Sequence, residues 1–181
     1  MPWLKKAWSW VSAKQSHNNM PRWNSLNILH LLPDVHRLWQ FEAKGFKNKA
    51  EVRSEGSLPV PAIYAAKSWN SLWQPKLNVA WLPPEDVFLR VVELPRSAFD
   101  ETVSMVELQL EKLSPLPVAQ IVWTIHVLPQ ATGDLQTVIV VIAERRAVEE
   151  FLGKLEAKKF LADRLEAPVL DQLEAIRTVE D

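Results

Sequence analysis

The stretch LEKLSPLPVAQIVW, Leu110 to Trp123, constrains the fold more than any other in this chain. It ends a helix and opens a strand within a few residues. Upstream, Phe99, Val103, Val106, Leu110 and Leu113 are spaced four, three, four and three, one continuous apolar stripe of a helix. Ser97, with Asp100 three residues on, predicts the helix cap. Pro115 and Pro117 stop the helix, because proline lacks an N–H and its ring clashes with the preceding turn. Downstream, QIVWTIHVL (120–128) places Ile121, Trp123, Ile125 and Val127 on one face of a strand. A strand, DVFLRVVEL (86–94), precedes the first helix, and another, LQTVIVVIA (135–143), follows the loop PQATGD. ERRAVEEFLGKLEAKK (144–159) predicts a second helix burying Val148, Phe151, Leu152 and Leu155, and FLADRLEA (160–167) a short strand or extended exit. The order over 86–167 is β-α-β-β-α-β, the split βαβ (ferredoxin-like) arrangement, in which two helices cover one face of an antiparallel sheet.

Before this module, SLNILHLL (25–32), VHRLWQFEA (35–43) and KAEVRSEG (49–56) read as a three-strand meander, turning at Pro33-Asp34 and near Gly45. Residues 58–74 are ambiguous. AIYAAKSWNSLW fits a helix with Ile63, Ala66, Trp69 or Asn70, and Trp73 on one side. LNVAWL (77–82) reads as a strand, broken by Pro83-Pro84. At the far end, PVLDQLEAIRTVE (168–180) predicts a helix with Pro168 in its first turn.

The N-terminus is unlike the rest. Four of the nine tryptophans (Trp3, Trp8, Trp10 and Trp23) lie in the first 23 residues. WLKKAWSWVSAK (3–14) fits a short amphipathic helix, with Trp3, Leu4, Ala7, Trp8, Trp10 and Val11 inside an arc of about 160°. Lys5, Lys6, Ser9 and Ser12 lie opposite, and Lys14 intrudes on the apolar arc. Trp and Lys at this spacing suit a bilayer interface, with rings at headgroup level and ammonium groups on anionic lipid. A helix packed on its own domain or on a neighbouring copy fits the same pattern. Residues 15–24 read as a polar linker.

Composition narrows the function. A net charge of -1 gives no polyelectrolyte signal and argues against nucleic acid as the main partner. No cysteine occurs, which removes disulfides, thiolate zinc sites and cysteine nucleophiles. No apolar run reaches the roughly 18 to 20 residues of a membrane span, and the charged N-terminus lacks a signal-peptide core. Only Gly45, Gly56, Gly133 and Gly153 offer places for close backbone approach to a phosphate. No P-loop, dinucleotide fingerprint or metalloprotease motif occurs. His17, His30, His36 and His126 are scattered; His30 and His36 flank the first turn, where two histidines make a weak metal case beside ordinary strand positions. Asp34, Asp86, Asp100 and Asp134 sit at turns or helix starts, as capping residues do. Arg145-Arg146 opens a helix, where the dipole disfavours cations; a partner carboxylate or phosphate, or plain solvent, satisfies the pair.

The series LPPEDVFLRVVELP, LQLEKLSPLP, VAQIVWTIHVL and VIVVIAERRAVEEFLGKLEA resembles the N-terminal half of the actin-like platform proteins. These are protein L of type II secretion and protein M of type IV pilus assembly. In that family an LP follows the first strand of the inserted subdomain, and the next helix closes in Leu-Glu and a proline pair. A small residue and an arginine open the second helix, here Ala143-Glu144-Arg145-Arg146. The resemblance covers residues 77–167 well and 25–76 loosely, and does not reach 1–24. It implies an α+β fold: half of an actin-like (ribonuclease H-like) ATPase domain, with 25–84 and the 168–181 helix forming a partial lobe and 85–167 the inserted ferredoxin-like subdomain. One departure bears on chemistry. Nucleotide-binding relatives hold phosphate on a glycine-containing turn between their first two strands, next to an Asp. Here that turn is Leu32-Pro33-Asp34-Val35. In the relatives the second phosphate loop and the adenosine pocket would lie in a second lobe, and the sequence stops at Asp181, before any such lobe. The resemblance thus implies no catalytic residue, no metal, and ATP with magnesium only if a second lobe exists. It implies a scaffold at the cytoplasmic face of the inner membrane, with platform proteins and a motor ATPase as partners and a homodimer as an option. Trp3, Leu4, Lys5, Lys6, Trp8, Trp10 and Val11 are the candidate membrane or partner contacts. The alternative is an actin-like ATPase fragment lacking its nucleotide-binding lobe.

Overall fold

The structure is a computed structural model describing residues 25–42, 48–55, 59–60, 76–128 and 133–170. These residues form two units: those before Glu85 together with those after Val148, and the continuous segment Glu85–Val148.

The first unit is built on a five-stranded sheet of order β3-β2-β1-β4-β8. Its strands are β1 (Ser25–Leu31), β2 (Val35–Glu42), β3 (Asn48–Glu55), β4 (Lys76–Trp81) and β8 (Arg164–Glu166). β1, β2 and β3 form the antiparallel meander, while β4 and β8 run parallel to β1. The register makes a row of apolar side chains across four strands: Leu38, Leu29, Ala80 and Leu165, all buried. One step along the same face lies a buried polar row, Gln40, Asn27 and Asn78. Asn27 Nδ2 donates to Asn78 Oδ1 at 2.9 Å, and Asn78 Nδ2 donates to the carbonyl of Leu161 at 3.1 Å. Asn78 N donates to Asp163 Oδ2 at 2.9 Å, and Asp163 N returns a bond to Asn78 O at 2.8 Å. A buried polar group must find a partner, so this network holds the residues before β8 against β4.

The second unit has a three-stranded antiparallel sheet of order β5-β7-β6. Its strands are β5 (Val87–Pro95), β6 (Ile121–Val127) and β7 (Leu135–Glu144). Between β5 and β6 lie α1 (Phe99–Glu107) and α2 (Leu110–Leu113). The apolar stripe packs as expected: Val106 and Leu110 are fully buried beside Leu94, Ile121, Ile125, Val138, Val140 and Ile142, with Phe99, Val103 and Leu113 against them. Trp123 and Val127 join the same core from β6. The helix is not continuous, however. Gln109 N bonds the Val106 carbonyl at 2.9 Å, closing a tighter turn that leaves Leu108 88% exposed. After α2, Leu116 N donates to Ser114 Oγ at 3.0 Å, a side-chain turn that fixes the break the prolines demand. Arg90 reaches across to donate to the Leu113 carbonyl at 3.0 Å, satisfying one of the orphan acceptors of the helix end.

Two expectations change here. Ser97 is not the helix cap. The cap is Ala98, whose N–H donates to Glu101 Oε2 at 3.3 Å, while Ser97 Oγ lies 3.0 Å from Thr102 Oγ1. Thr102 is fully buried and accepts from Gln136 Nε2 at 2.7 Å, so Ser97 belongs to a network tying α1 to β7. The second change is topological. Segment 160–167 does not supply a fourth strand to the β5-β7-β6 sheet; β8 pairs with β4 in the other sheet instead. Element order alone cannot tell the two apart. The choice is made by Leu165 beside Ala80 and by the bonds from Asn78 to Leu161 and Asp163.

Helix α3 (Arg145–Ala157) follows β7 directly, and buries Val148, Phe151, Leu152 and Leu155 as the spacing predicts. It ends in a Schellman motif. Phe160 N bonds the Leu155 carbonyl at 2.9 Å and Lys159 N bonds that of Glu156 at 2.8 Å. Lys159 takes the left-handed position at φ 59°, usually given to glycine, at a cost of about 1 kcal/mol or more. Phe160 and Leu155, the two residues this motif tends to bring together, are both buried. Residues 168–170 are helical, and the rest of the expected terminal helix lies outside the described residues.

Candidate functional site

The turn that would meet a phosphate in an actin-like lobe joins β1 to β2. It is two residues long: Leu32 N donates to the Val35 carbonyl at 3.0 Å, and Pro33 and Asp34 are exposed at its tip. Pro33 has no N–H to give, and the Leu32 N–H is already used. Asp34 is therefore placed at the turn, as its sequence position predicts.

The two histidines beside this turn are not brought together. His30 lies opposite Arg37, and His36 lies opposite Leu31. Because side chains alternate along a strand, the two imidazoles lie on opposite faces of the sheet. His36 is buried on the face of Leu29 and Leu38. His30 sits on the other face in an aromatic cluster: its ring is 5.4 Å from that of Trp81 and 6.4 Å from that of Trp39, and the two indoles are 5.3 Å apart. Among the described residues no group of three or more His, Asp and Glu side chains is placed to hold a metal.

Burial first, and then the Arg37 charge, hold the His30 pKa below its ordinary 6.5. The unfolded chain therefore binds this proton more readily than the folded one. Stability from this site is present above pH 6.5 and is lost as pH falls from there through the lower folded value. His30→Gln is expected to flatten the decline in urea midpoint on acidification below pH 6.5; an unchanged slope would show that other groups carry it.

The arginine pair at the start of α3 is exposed, and both members have partners. Arg145 Nη2 donates to the Ile121 carbonyl at 3.0 Å, and Arg146 Nε lies 3.4 Å from Glu144 Oε1. Arg145 thus ties the first residue of α3 to the start of β6 within the second unit, a use that the dipole argument missed. Asp86 and Asp100 lie at the 3-10 turn before β5 and in the first turn of α1, and Asp134 lies beside Gly133 before β7. Asp100 suits the helix dipole there, but Glu101 supplies the capping bond. The N-terminal contacts expected at Trp3, Leu4, Lys5, Lys6, Trp8, Trp10 and Val11 lie outside the described residues, as does the expected helix in 58–74. Among the described residues, no helix is long and apolar enough to cross a membrane.

No protein-family model and no curated protein sequence matches the chain. Solved structures do. One is the cytoplasmic domain of EpsL, an inner-membrane component of the type II secretion system of Vibrio cholerae. The match has 20% identity and a TM-score of 0.51, covering 81% of this chain and 58% of that one. Another is the PilM-PilN type IV pilus biogenesis complex, with 18% identity and a TM-score of 0.57, covering 81% of this chain and 48% of that one. The chain thus spans about half of the structures it matches. Both are the proteins to which the sequence pattern pointed. At these identities the likeness speaks for the fold alone: the chain shares the mixed α+β fold of these two structures.

Proposed function

We propose that the chain is a non-catalytic platform component of a type II secretion or type IV pilus assembly machine. It docks partner proteins at the cytoplasmic face of the inner membrane. The observation that carries this reading is the shared fold with EpsL and PilM, combined with the β1–β2 turn. Phosphate binding by backbone needs a run of open amides. Pro33 and the bonded Leu32 N–H leave that turn poorly suited to supply one. Calorimetry with ATP and magnesium on the longest native form of the protein is expected to show no saturable binding. Micromolar binding would instead support the second reading, an actin-like ATPase whose further lobe completes the site.

Residues 3–14 would bring the platform to its membrane or to a partner. Each lysine contributes on the order of 1 kcal/mol at best on anionic lipid, so the tryptophans must supply most of the affinity. Liposomes rich in anionic lipid are expected to sediment the wild type, and replacing Trp3, Trp8 and Trp10 with alanine to abolish this. A wild type that stays in the supernatant would reduce the segment to an internal or partner-facing helix.

A further inference from the structure

Strand β5 lies at the edge of its sheet, and its register decides which backbone groups remain on offer. Arg96 N donates to the Asp134 carbonyl at 2.8 Å, continuing the ladder in which Pro95 lies opposite Leu135 and Val87 opposite Ala143. Hydrogen-bonded and non-bonded pairs alternate in an antiparallel ladder. The even-numbered residues of β5 therefore bond β7, and Val87, Leu89, Val91 and Glu93 turn their N–H and C=O groups outward. The Leu89 carbonyl, one of this outward set, accepts from Arg90 Nη1 at 2.9 Å. Among the described residues no strand pairs on that side.

We propose that β5 pairs antiparallel with β5 of a second copy, with Val91 at the two-fold axis, so that two three-stranded sheets become one of six strands. Val91 is the middle residue of the strand and is 67% exposed. Pairing about it sets the outward groups of Leu89 against those of Glu93 in the second copy, and Val91 against Val91. The charges fit the same register. Asp86, the last residue of the 3-10 turn before β5, and Arg96, the first after it, flank the strand five residues to either side of Val91, so the pairing brings the acidic start of each strand to the basic end of the other. An isologous contact of this kind satisfies the same groups twice and closes on itself. An unrelated peptide would have to reproduce both the acidic start and the basic end; a second copy carries them already. Arg90 must release the Leu89 carbonyl to allow the pairing, which keeps the contact reversible and guards the edge when the protein is dilute.

This inference stands apart from the platform reading, since either a scaffold or an ATPase fragment has the same edge. Sedimentation velocity on the full chain, up to about 0.5 mM, is expected to show a reversible monomer–dimer equilibrium. Val91→Lys places like charges at the axis and is expected to weaken the dimer about tenfold or more. Val91→Pro removes an outward N–H without touching the ladder to β7, and is expected to act alike. Asp86→Arg is expected to weaken the dimer, and Asp86→Arg combined with Arg96→Asp to restore it. Circular dichroism checks that each variant is folded; if Val91→Pro is not, Val91→Lys decides. A monomer throughout the range, a dimer indifferent to Val91→Lys, or a double reversal that restores nothing would overturn the proposal.

Discussion

Phe160→Ala is expected to lower the unfolding free energy by about 3–5 kcal/mol, the range for deleting a fully buried aromatic ring. Phe160 has no exposed surface and heads the group of large, fully buried side chains. Its position raises the cost. It is the residue whose N–H closes the α3 terminus on Leu155 and whose ring accompanies that bond into the core. Lys159 just before it holds the left-handed conformation that turns the chain at that point. Urea unfolding followed by circular dichroism measures the loss. A drop below about 1 kcal/mol would mean that the site relaxes freely and that Phe160 is not a core anchor.

The second large effect is expected at Asn78. Asn78→Leu preserves shape but removes the acceptor used by Asn27 Nδ2 and the donor received by the Leu161 carbonyl. Removing one partner from a buried polar pair costs the desolvation of what remains, so the expected loss is about 2–4 kcal/mol. Asn27 and Asn78 are both fully buried, which leaves water no direct access to repair the bonds. Combining Asn27→Leu with Asn78→Leu should recover part of the loss, because two matched apolar groups then replace two mismatched polar ones. A double variant as unstable as the sum of the singles would show that the pair does not act as a unit.

The elements of the second unit were legible because their signals are local. The stripe from Phe99 to Leu113 and the alternation from Ile121 to Val127 each name a buried face, and both faces meet in one core. The positions of the strands in the first unit could be read for the same reason. What could not be read was partnership. Segment 160–167 has the apolar content of a strand end, but nothing within it says which sheet it joins. That information lies in Asn78, roughly half a chain away, whose amide and backbone bind Leu161 and Asp163. The histidine pair failed for a related reason. His30 and His36 are near in sequence, but a two-residue turn sets them one register step apart and sends them to opposite faces. Ser97 failed at the smallest scale, because its hydroxyl meets that of Thr102, which in turn accepts from Gln136, and the helix cap falls one residue later.

The pairing of β4 with β8 has a consequence for how the chain acquires its shape. Asn78 and Asp163, joined across that pairing, are 85 residues apart in sequence, and the whole segment Glu85–Val148 lies between them. Strands β6 and β7 pair across a short connection, and β5 joins β7 within the same segment, so this unit closes on shorter loops than the β4–β8 pairing does and its earlier formation is favoured. During synthesis the meander and β4 emerge first, with the β8 side of β4 still unfilled. The intervening segment then emerges and can close on itself. Only afterwards does Leu165 reach Ala80. Among the described strands the last to be made is thus the one that seals the first sheet, and until it arrives β4 is an open edge that a chaperone or a neighbouring nascent chain can occupy.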